Sequence, residues 1–298
     1  MEEIFLFLNK YTNIGYIKFC KIYKYLNGKI GDFFNLDRQD FVNIGIKEKD
    51  INNIFNNLKK YNFEKEKKEL DKYGIKMCNI LDVDYPYLLS NIYDPPIMMY
   101  YKGKMIHNEN SLAIVGARKC SNYGIKVVEE FAWYLSNYFS IVSGFAYGID
   151  SIAHRSAIRN KKRTIAIMGV GLDRYYPEEN KNLAQDILDN NGLLISEFPI
   201  GTKLLKSNFP RRNRIISGIS SGVLVIEAGL KSGTFITANC ALEQGRDLFV
   251  VPGNIYSKES IGANEIIKKG ANLVTKPEDI LEIMDMEIWY LIWYIKFE

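Results

Sequence analysis

Four stretches hold the side chains of this 298-residue chain that could do chemistry. The first is Gly116-Ala117-Arg118-Lys119-Cys120-Ser121, and the second is Ser143-Gly144-Phe145-Ala146-Tyr147-Gly148-Ile149-Asp150. Each follows a short apolar run, and the second opens directly into a helix from about Ser151. Glycines at such a turn let backbone N–H groups approach an anion at the positive end of the helix. A phosphate is the ligand this favours. The third stretch, Lys206 to Gly218, gathers Lys206, Phe209, Arg211, Arg212, Asn213 and Arg214. Cations for phosphate beside an aromatic face for a base are what hold a single strand without reading its sequence. Taken alone, the segment reads as readily with Phe209 stapling a helix start and the arginines coating its surface. The fourth, Glu227-Ala228-Gly229-Leu230-Lys231-Ser232-Gly233-Thr234, opens another helix. Its Ser232 and Thr234 can cap that helix or donate to phosphate.

Catalytic groups are harder to find. His154 lies one turn into the helix after Asp150, where a structural hydrogen bond is the expectation, and His107 sits in a polar loop. Asp150 is expected to cap its helix or brace the glycine loop, and Glu227 has a similar supporting role. The sequence contains no GxxxxGK[ST] segment to cradle a triphosphate. Cys20, Cys78, Cys120 and Cys240 stand singly, with neither a disulfide framework nor zinc-ligand spacing. No metal, cofactor or enzymatic role is therefore expected.

The elements that position these loops alternate. From Ser111 onward, apolar runs at 112–115, 141–142, 164–168, 193–195, 223–226 and 248–251 are separated by amphipathic helical segments. Strands apolar on both faces belong to a doubly wound, mostly parallel α/β sheet, a Rossmann-like architecture. Ligands of such sheets bind beyond the carboxyl ends of the strands. Residues 1–66 read instead as a small all-α domain, whose Asn43-Ile44-Gly45-Ile46 turn is similar to helix-hairpin-helix and sterile-alpha-motif modules. The Rossmann-like domain is assigned to 67–285, and an aromatic tail without a winged helix to 286–298. That tail, with Trp289, Tyr290, Trp293 and Tyr294, is too short to span a bilayer and is expected to pack on its own protein or a second subunit.

A formal net charge of +4 is too small to identify a nucleic-acid partner, so the placement of the cations matters more. Met1-Glu2-Glu3 does not begin a signal peptide, and a cytoplasmic location is the expectation.

The ordered set resembles the DNA-processing protein A (DprA, or Smf) family. It comprises Gly116-Ala117-Arg118 with Ser121 and Gly124, then Ser143 to Asp150 with Ala153-His154. Tyr176-Pro177 with Asn180, Ser196-Glu197, and Phe209-Pro210 with Arg212 to Ile216 follow, before Glu227-Ala228 with Ser232 to Thr234, and Val251 to Asn254. The resemblance spans roughly 74–283. It implies single-stranded DNA binding on the Rossmann-like domain, a homodimer, and loading of RecA on incoming strands during natural transformation, with single-strand-binding protein as a further partner. The nucleic-acid set is then Gly116, Arg118, Ser121, Ser143, Gly144, Ala146, Gly148, Lys206, Phe209, Arg212, Asn213, Arg214, Ser232, Gly233 and Thr234. Gly262 to Val274 reads as a short helix and strand whose Ile266, Ile267 and Leu273 exceed what a terminal element hides alone, and the resemblance places dimer contacts at Ile267 and Leu273. The alternative is that all three complete the monomer core.

One departure and two rival readings bear on this. Many members continue into a winged-helix domain where this sequence has its aromatic tail. The rival class is the lysine-decarboxylase-like nucleotide phosphoribohydrolases, with Glu227 or Asp150 as acid or base on a nucleoside monophosphate. The paired glycines after a proline that mark those enzymes are missing. A scaffold that touches only protein is the third reading, and it leaves the basic strand ends unused.

Overall fold

The structure is a computed structural model that describes residues 1–230 and 232–284. The aromatic tail assigned to 286–298 lies outside them. The chain opens with helices α1 (Glu2–Tyr11), α2 (Tyr16–Tyr25), α3 (Arg38–Ile44), α4 (Glu48–Leu58) and α5 (Phe63–Lys72). Then come β1 (Lys76–Asn79), α6 (Tyr87–Ser90), β2 (Met98–Gly103), β3 (Ser111–Gly116), α7 (Asn122–Leu135), β4 (Ser140–Ser143), α8 (Ile149–Arg159) and β5 (Thr164–Ile167). The last elements are α9 (Lys181–Asp189), β6 (Leu193–Ser196), α10 (Asn208–Ile219), β7 (Gly222–Ile226), α11 (Gly233–Glu243), β8 (Asp247–Val250), α12 (Ile261–Lys268), β9 (Asn272–Leu273) and α13 (Glu278–Ile283).

The sheet order is β1-β2-β6-β5-β4-β3-β7-β8-β9. Strands β3 to β9 are mutually parallel, while β2 pairs antiparallel with β6 and β1 antiparallel with β2. The apolar runs from 112 to 251 are the parallel strands, buried on both faces because helices cover both. From β3 the chain winds outward through β4, β5 and β6, then returns to pair β7 with β3 on its other side. The winding direction therefore reverses beside β3. Ligands of open α/β sheets bind at such a reversal, beyond the carboxyl ends of the strands.

Helix α1 buries Ile4, Phe5, Leu6, Phe7 and Leu8, which is more than one stripe of its surface, because it is surrounded. The aromatic rings of Phe33, Phe34 and Tyr61 close on Phe7 from one side, and Tyr100 of β2 donates to Asn9 Oδ1 at 2.9 Å from the other. One hydrophobic cluster runs from Phe5 and Phe41 through Met98 and Tyr100 to Phe145 and Met168. Helix α5 also continues unbroken through the expected division between residues 66 and 67. The helical region and the sheet thus share a core. Among the described residues no helix is long and apolar enough to cross a membrane.

Candidate nucleic-acid interface

Two backbone positions shape the loops at the reversal. A Cβ on Gly116 would overlap the Ile226 carbonyl oxygen, so only glycine lets the end of β3 lie this close to β7. Gly148 has φ +72° and packs against the Ala117 and Arg118 carbonyls, which ties the β4–α8 loop to the β3–α7 loop. Between these loops and the start of α10 lies a cleft of about 620 Å³.

The cleft carries cations and rings together. Arg118, Lys206, Phe209 and Tyr176 line it, and the Arg118 guanidinium carbon stands 5.5 Å from the centroid of the Phe209 ring. Tyr176 lies 5.4 Å from the same ring, tilted by 46°. Gly169 gives Phe209 its room, because a Cβ there would come within 2.8 Å of the ring. Arg118 and Lys206 are exposed, so their charges face solvent and any polyanion that enters. A smaller hollow of about 60 Å³ adjoins, bordered by Tyr147, Tyr176 and Pro177. Tyr147 donates to Glu179, and that bond holds its phenol up at about 12.

The opposite wall is the amino end of α11, where Ser232, Gly233 and Thr234 line the cleft. The first N–H groups of an α-helix have no intrahelical acceptor, and they point outward with the positive end of the helix dipole. The Ser232 hydroxyl is buried without a hydrogen-bond partner among the described residues. Asn213 of α10 holds this wall in place by donating to the Gly233 carbonyl at 3.1 Å.

Beneath the cleft, Arg212 is buried and donates to the Gly144 and Ile167 carbonyls, at the carboxyl ends of β4 and β5. Burial lowers its guanidinium to about 10, still a cation at neutral pH. Asp150 accepts from the Ala146 N–H at 3.3 Å, and its carboxyl is raised by burial against the opposing pull of Arg212. A Cβ on Gly144 would meet Asp150 Oδ2 at 2.6 Å and Arg212 Nη2 at 2.7 Å. His154 is buried behind them, pushed down to about 3 by burial and by the charges of Arg212 and Arg155.

Of the expected residues, Gly116, Arg118, Ala146, Lys206, Phe209, Arg212, Asn213, Ser232, Gly233 and Thr234 come together around the cleft. Gly144 borders the smaller hollow, and Gly148 supports from below. Three do not come to its surface. Ser143 is fully buried and donates to the Ile114 carbonyl at 2.6 Å. Ser121 caps α7 and donates to Glu227 through both its N–H and its hydroxyl, so it borders another hollow with Glu227 and Asn254. Arg214 turns away to the Glu197 carboxylate, bonding it at 2.8 and 2.9 Å, and to the Asp94 carbonyl at 3.0 Å. In a helix, residue 214 cannot share a face with 212, and that periodicity was available in the sequence. Conversely, Tyr147 and Tyr176 received no assigned role, because nothing local shows that their loops converge on Phe209.

The proposed dimer residues also divide. Ile266 is 4% exposed within the core of its own chain, which corrects its assignment to an interface, and Ile267 packs partly against that core. Leu273 is 50% exposed on β9, the edge strand of the sheet.

Residues 76–285 match the family described as DNA recombination-mediator protein A. The DNA processing protein DprA of Streptococcus pneumoniae is 46% identical over 215 residues, covering 72% of this chain and 75% of that protein. Protein Smf of Escherichia coli is 44% identical over 210 residues, covering 70% of this chain but 56% of that longer protein. Among solved structures, that of Streptococcus pneumoniae DNA processing protein A superposes with a TM-score of 0.77 at 39% identity, covering 88% of this chain and 92% of that one. The DNA processing protein A of Helicobacter pylori, described for its single-stranded DNA binding mode, gives a TM-score of 0.63 at 28% identity, covering 72% and 96%.

Proposed function

The chain belongs to the DNA recombination-mediator protein A family, and from that premise we propose that it binds single-stranded DNA in the cleft beyond β3, β4 and β7 and delivers the strand to a RecA-type recombinase. The observation that carries this reading is the Arg118–Phe209–Tyr176 cluster beside Lys206. Rings that take the face of an unpaired base stand next to cations that take its phosphates, and a duplex offers no free base face to such a platform. The Helicobacter pylori relative, which binds single-stranded DNA, supports the same reading.

The protein acts in this reading as a binding module and not as a hydrolase. Glu227 spends both carboxylate oxygens on Ser121 and borders a different hollow from Asp150. Two carboxylates facing apart do not make an acid–base pair across one substrate. In the same reading the protein is a homodimer joined through the β9 edge and works in the cytoplasm on incoming strands during transformation, alongside single-strand-binding protein. The exposed Leu273 on β9, the edge strand among the described residues, supports that interface.

Fluorescence anisotropy with labelled oligo-dT, competed by duplex and by mononucleotides, tests the central claim. Single strands should bind with duplex competing weakly. Duplex competing as well as oligo-dT would reject the cleft as a single-strand site, and preference for a mononucleotide that is then hydrolysed would favour the enzyme.

A further inference from the structure

Tyr175 and Tyr176 are neighbours in the loop after β5, yet they serve different surroundings. Tyr176 lies against Phe209 in the cleft, whereas the Tyr175 ring stands 6.0 Å from Lys102 Nζ on β2. The ring of Tyr73, just after α5, lies 6.0 Å from the same ammonium, and Lys72 Nζ is 5.6 Å from the Tyr73 ring. Lys102 is half-buried, and among the described residues it has no hydrogen-bond or ion-pair partner. Asp173 acts on it from beyond ion-pair distance, and that carboxylate is taken by Arg174 at 2.8 Å and by the Gly201 N–H at 3.3 Å. An ammonium held against ring faces keeps its N–H groups for an acceptor from outside the chain. Burial lowers this ammonium from the ordinary lysine value, a cost that a phosphate oxygen would offset.

A second loop ties this cluster to the cleft. The Gly201–Asp173 bond fastens the segment before α10 to the loop after β5, and a Cβ on Gly171 would meet the Pro199 carbonyl oxygen at 2.6 Å. Lys203 and Lys206 are exposed on that segment, and Lys206 lines the cleft. Asn208, in the first turn of α10, donates to the Lys203 carbonyl at 3.1 Å. A strand leaving the cleft on this side meets cations at Lys206, Lys203 and Lys102 and rings at Tyr176, Tyr175 and Tyr73. Backbone cations interleaved with base platforms hold single strands over several nucleotides. We propose that the strand bound in the cleft continues past Tyr175 onto the junction of β2 with the helical region, where Lys102 takes a phosphate and Tyr73, 36% exposed, takes the face of a base. The end of the helical region is then part of the DNA-binding surface. This extension rests on the cleft reading above.

The test compares two lengths of labelled oligo-dT, about 4 and about 16 nucleotides, on the full chain by anisotropy. Lys102→Met keeps the apolar stem and removes the charge. It should bind the short oligonucleotide like the parent and the long one roughly fivefold more weakly at about 0.1 M salt, the worth of one phosphate contact at a slope of about 0.7. The salt slope for the long oligonucleotide should fall by that same amount, which a purely structural lysine would not bring about. Equal binding of both lengths to variant and parent overturns the extension. So does equal loss at both lengths, since Lys102 would then act through the shape of the cleft. If urea unfolding shows that Lys102→Met is destabilised, the exposed Lys72→Gln takes its place, with the same dependence on length expected. Parent-like binding of both lengths by Lys72→Gln would then overturn the proposal. Phe209→Ala separates this failure from that of the cleft. Loss at both lengths in Phe209→Ala with none in Lys102→Met keeps the cleft and removes the extension, whereas parent-like binding by Phe209→Ala overturns both.

Discussion

The guanidinium of Arg118, in the loop after β3, stands over the ring of Phe209, in the first turn of α10, at 5.5 Å, although the two residues are 91 positions apart. The contact orients a cation at the rim of the cleft and stiffens the ring beneath it. Tyr176 braces the ring from another direction at 5.4 Å. In the proposed reading this holds Phe209 as a platform for a base and aims Arg118 at the neighbouring phosphate.

Replacing Phe209 with Ala should weaken oligo-dT binding by about 1–3 kcal/mol, the range for loss of one base stack. Phe209→Tyr, which keeps a ring, should retain most of the affinity. Anisotropy titration at fixed salt checks both, and an alanine variant that binds like the parent would remove the ring from the site.

Charge substitutions should separate the arginines that sequence alone grouped together. Arg118→Ala and Lys206→Ala should each lower affinity and reduce the slope of log K against log salt by about one phosphate contact, roughly 0.7 for a single strand. Arg214→Ala should leave that slope unchanged and appear in stability, because it strips a partner from Glu197, whose side chain is 3% exposed. The cost is about 3 kcal/mol, at the low end for a broken buried pair, since Arg211 still reaches Glu197 at 3.1 Å. Salt-dependent titration and urea unfolding of the three variants measure the two effects independently.

Gly144→Ala tests the floor of the site. The added Cβ has no room between Asp150 and Arg212, and neither can retreat: Arg212 is fixed by two strand-end carbonyls and Asp150 by the Ala146 N–H. Overpacking of this kind costs about 1–3 kcal/mol. The urea midpoint should fall accordingly. DNA affinity should fall with it, because Arg118 and Phe209 rest on the loops that Gly144 and Arg212 tie together.

The six inner parallel strands were legible in the sequence because each is apolar on both faces, a pattern that survives without any tertiary information. So were the glycine loops, since Gly116, Gly144 and Gly148 occupy positions where a side chain collides. Strands β1 and β2 were not read. Lys76-Met77-Cys78-Asn79 and Met98 to Gly103 are short, mixed in polarity and separated by Pro95-Pro96, and the pairing of β2 with β6, to which β1 is added, is set by register across roughly a hundred residues. The assignment of Arg214 failed for a different reason. Sequence proximity to Arg212 placed two cations in one motif, whereas helical geometry turned one toward Gly144 and the other toward Glu197.

His154 predicts a pH dependence of stability. Thr164 donates its hydroxyl proton to the Ile141 carbonyl at 2.6 Å, so at its 2.6 Å contact with His154 it accepts, which places the ring proton on Nδ1. Nε2 is buried with no partner among the described residues, and the imidazole is pushed down to about 3. A depressed native value means that the unfolded state takes up a proton first as pH falls. The stability from neutral His154 is present above the unfolded value near 6.5 and is lost on acidification from there toward 3, at about 1.4 kcal/mol per pH unit. Urea unfolding between those limits should show this slope added to that of the carboxylates. In His154→Asn, whose amide can still donate to Thr164, the slope should fall by about one proton, and an unaltered slope would show that His154 is not the group responsible.

The edge strand carries the last prediction. A partner added to β9 must meet Leu273, which is 50% exposed, and cannot use Ile266, which is 4% exposed in the core. Leu273→Arg should therefore abolish self-association while changing the unfolding free energy by no more than about 0.5 kcal/mol, as is usual for a surface position. Ile266→Arg should instead unfold the chain, because it forces a charge into the cluster with Val250 and Ala263. A two-fold interface presents the same patch from both subunits, so the single change strikes it twice. If a strand spans both clefts of a dimer, the Leu273→Arg monomer should bind long oligo-dT far more weakly than the parent, yet bind a short oligonucleotide that fits one cleft equally well. Light scattering and anisotropy with the two lengths decide the matter. A parent that is already monomeric, or a Leu273→Arg variant that stays dimeric, would move the interface elsewhere.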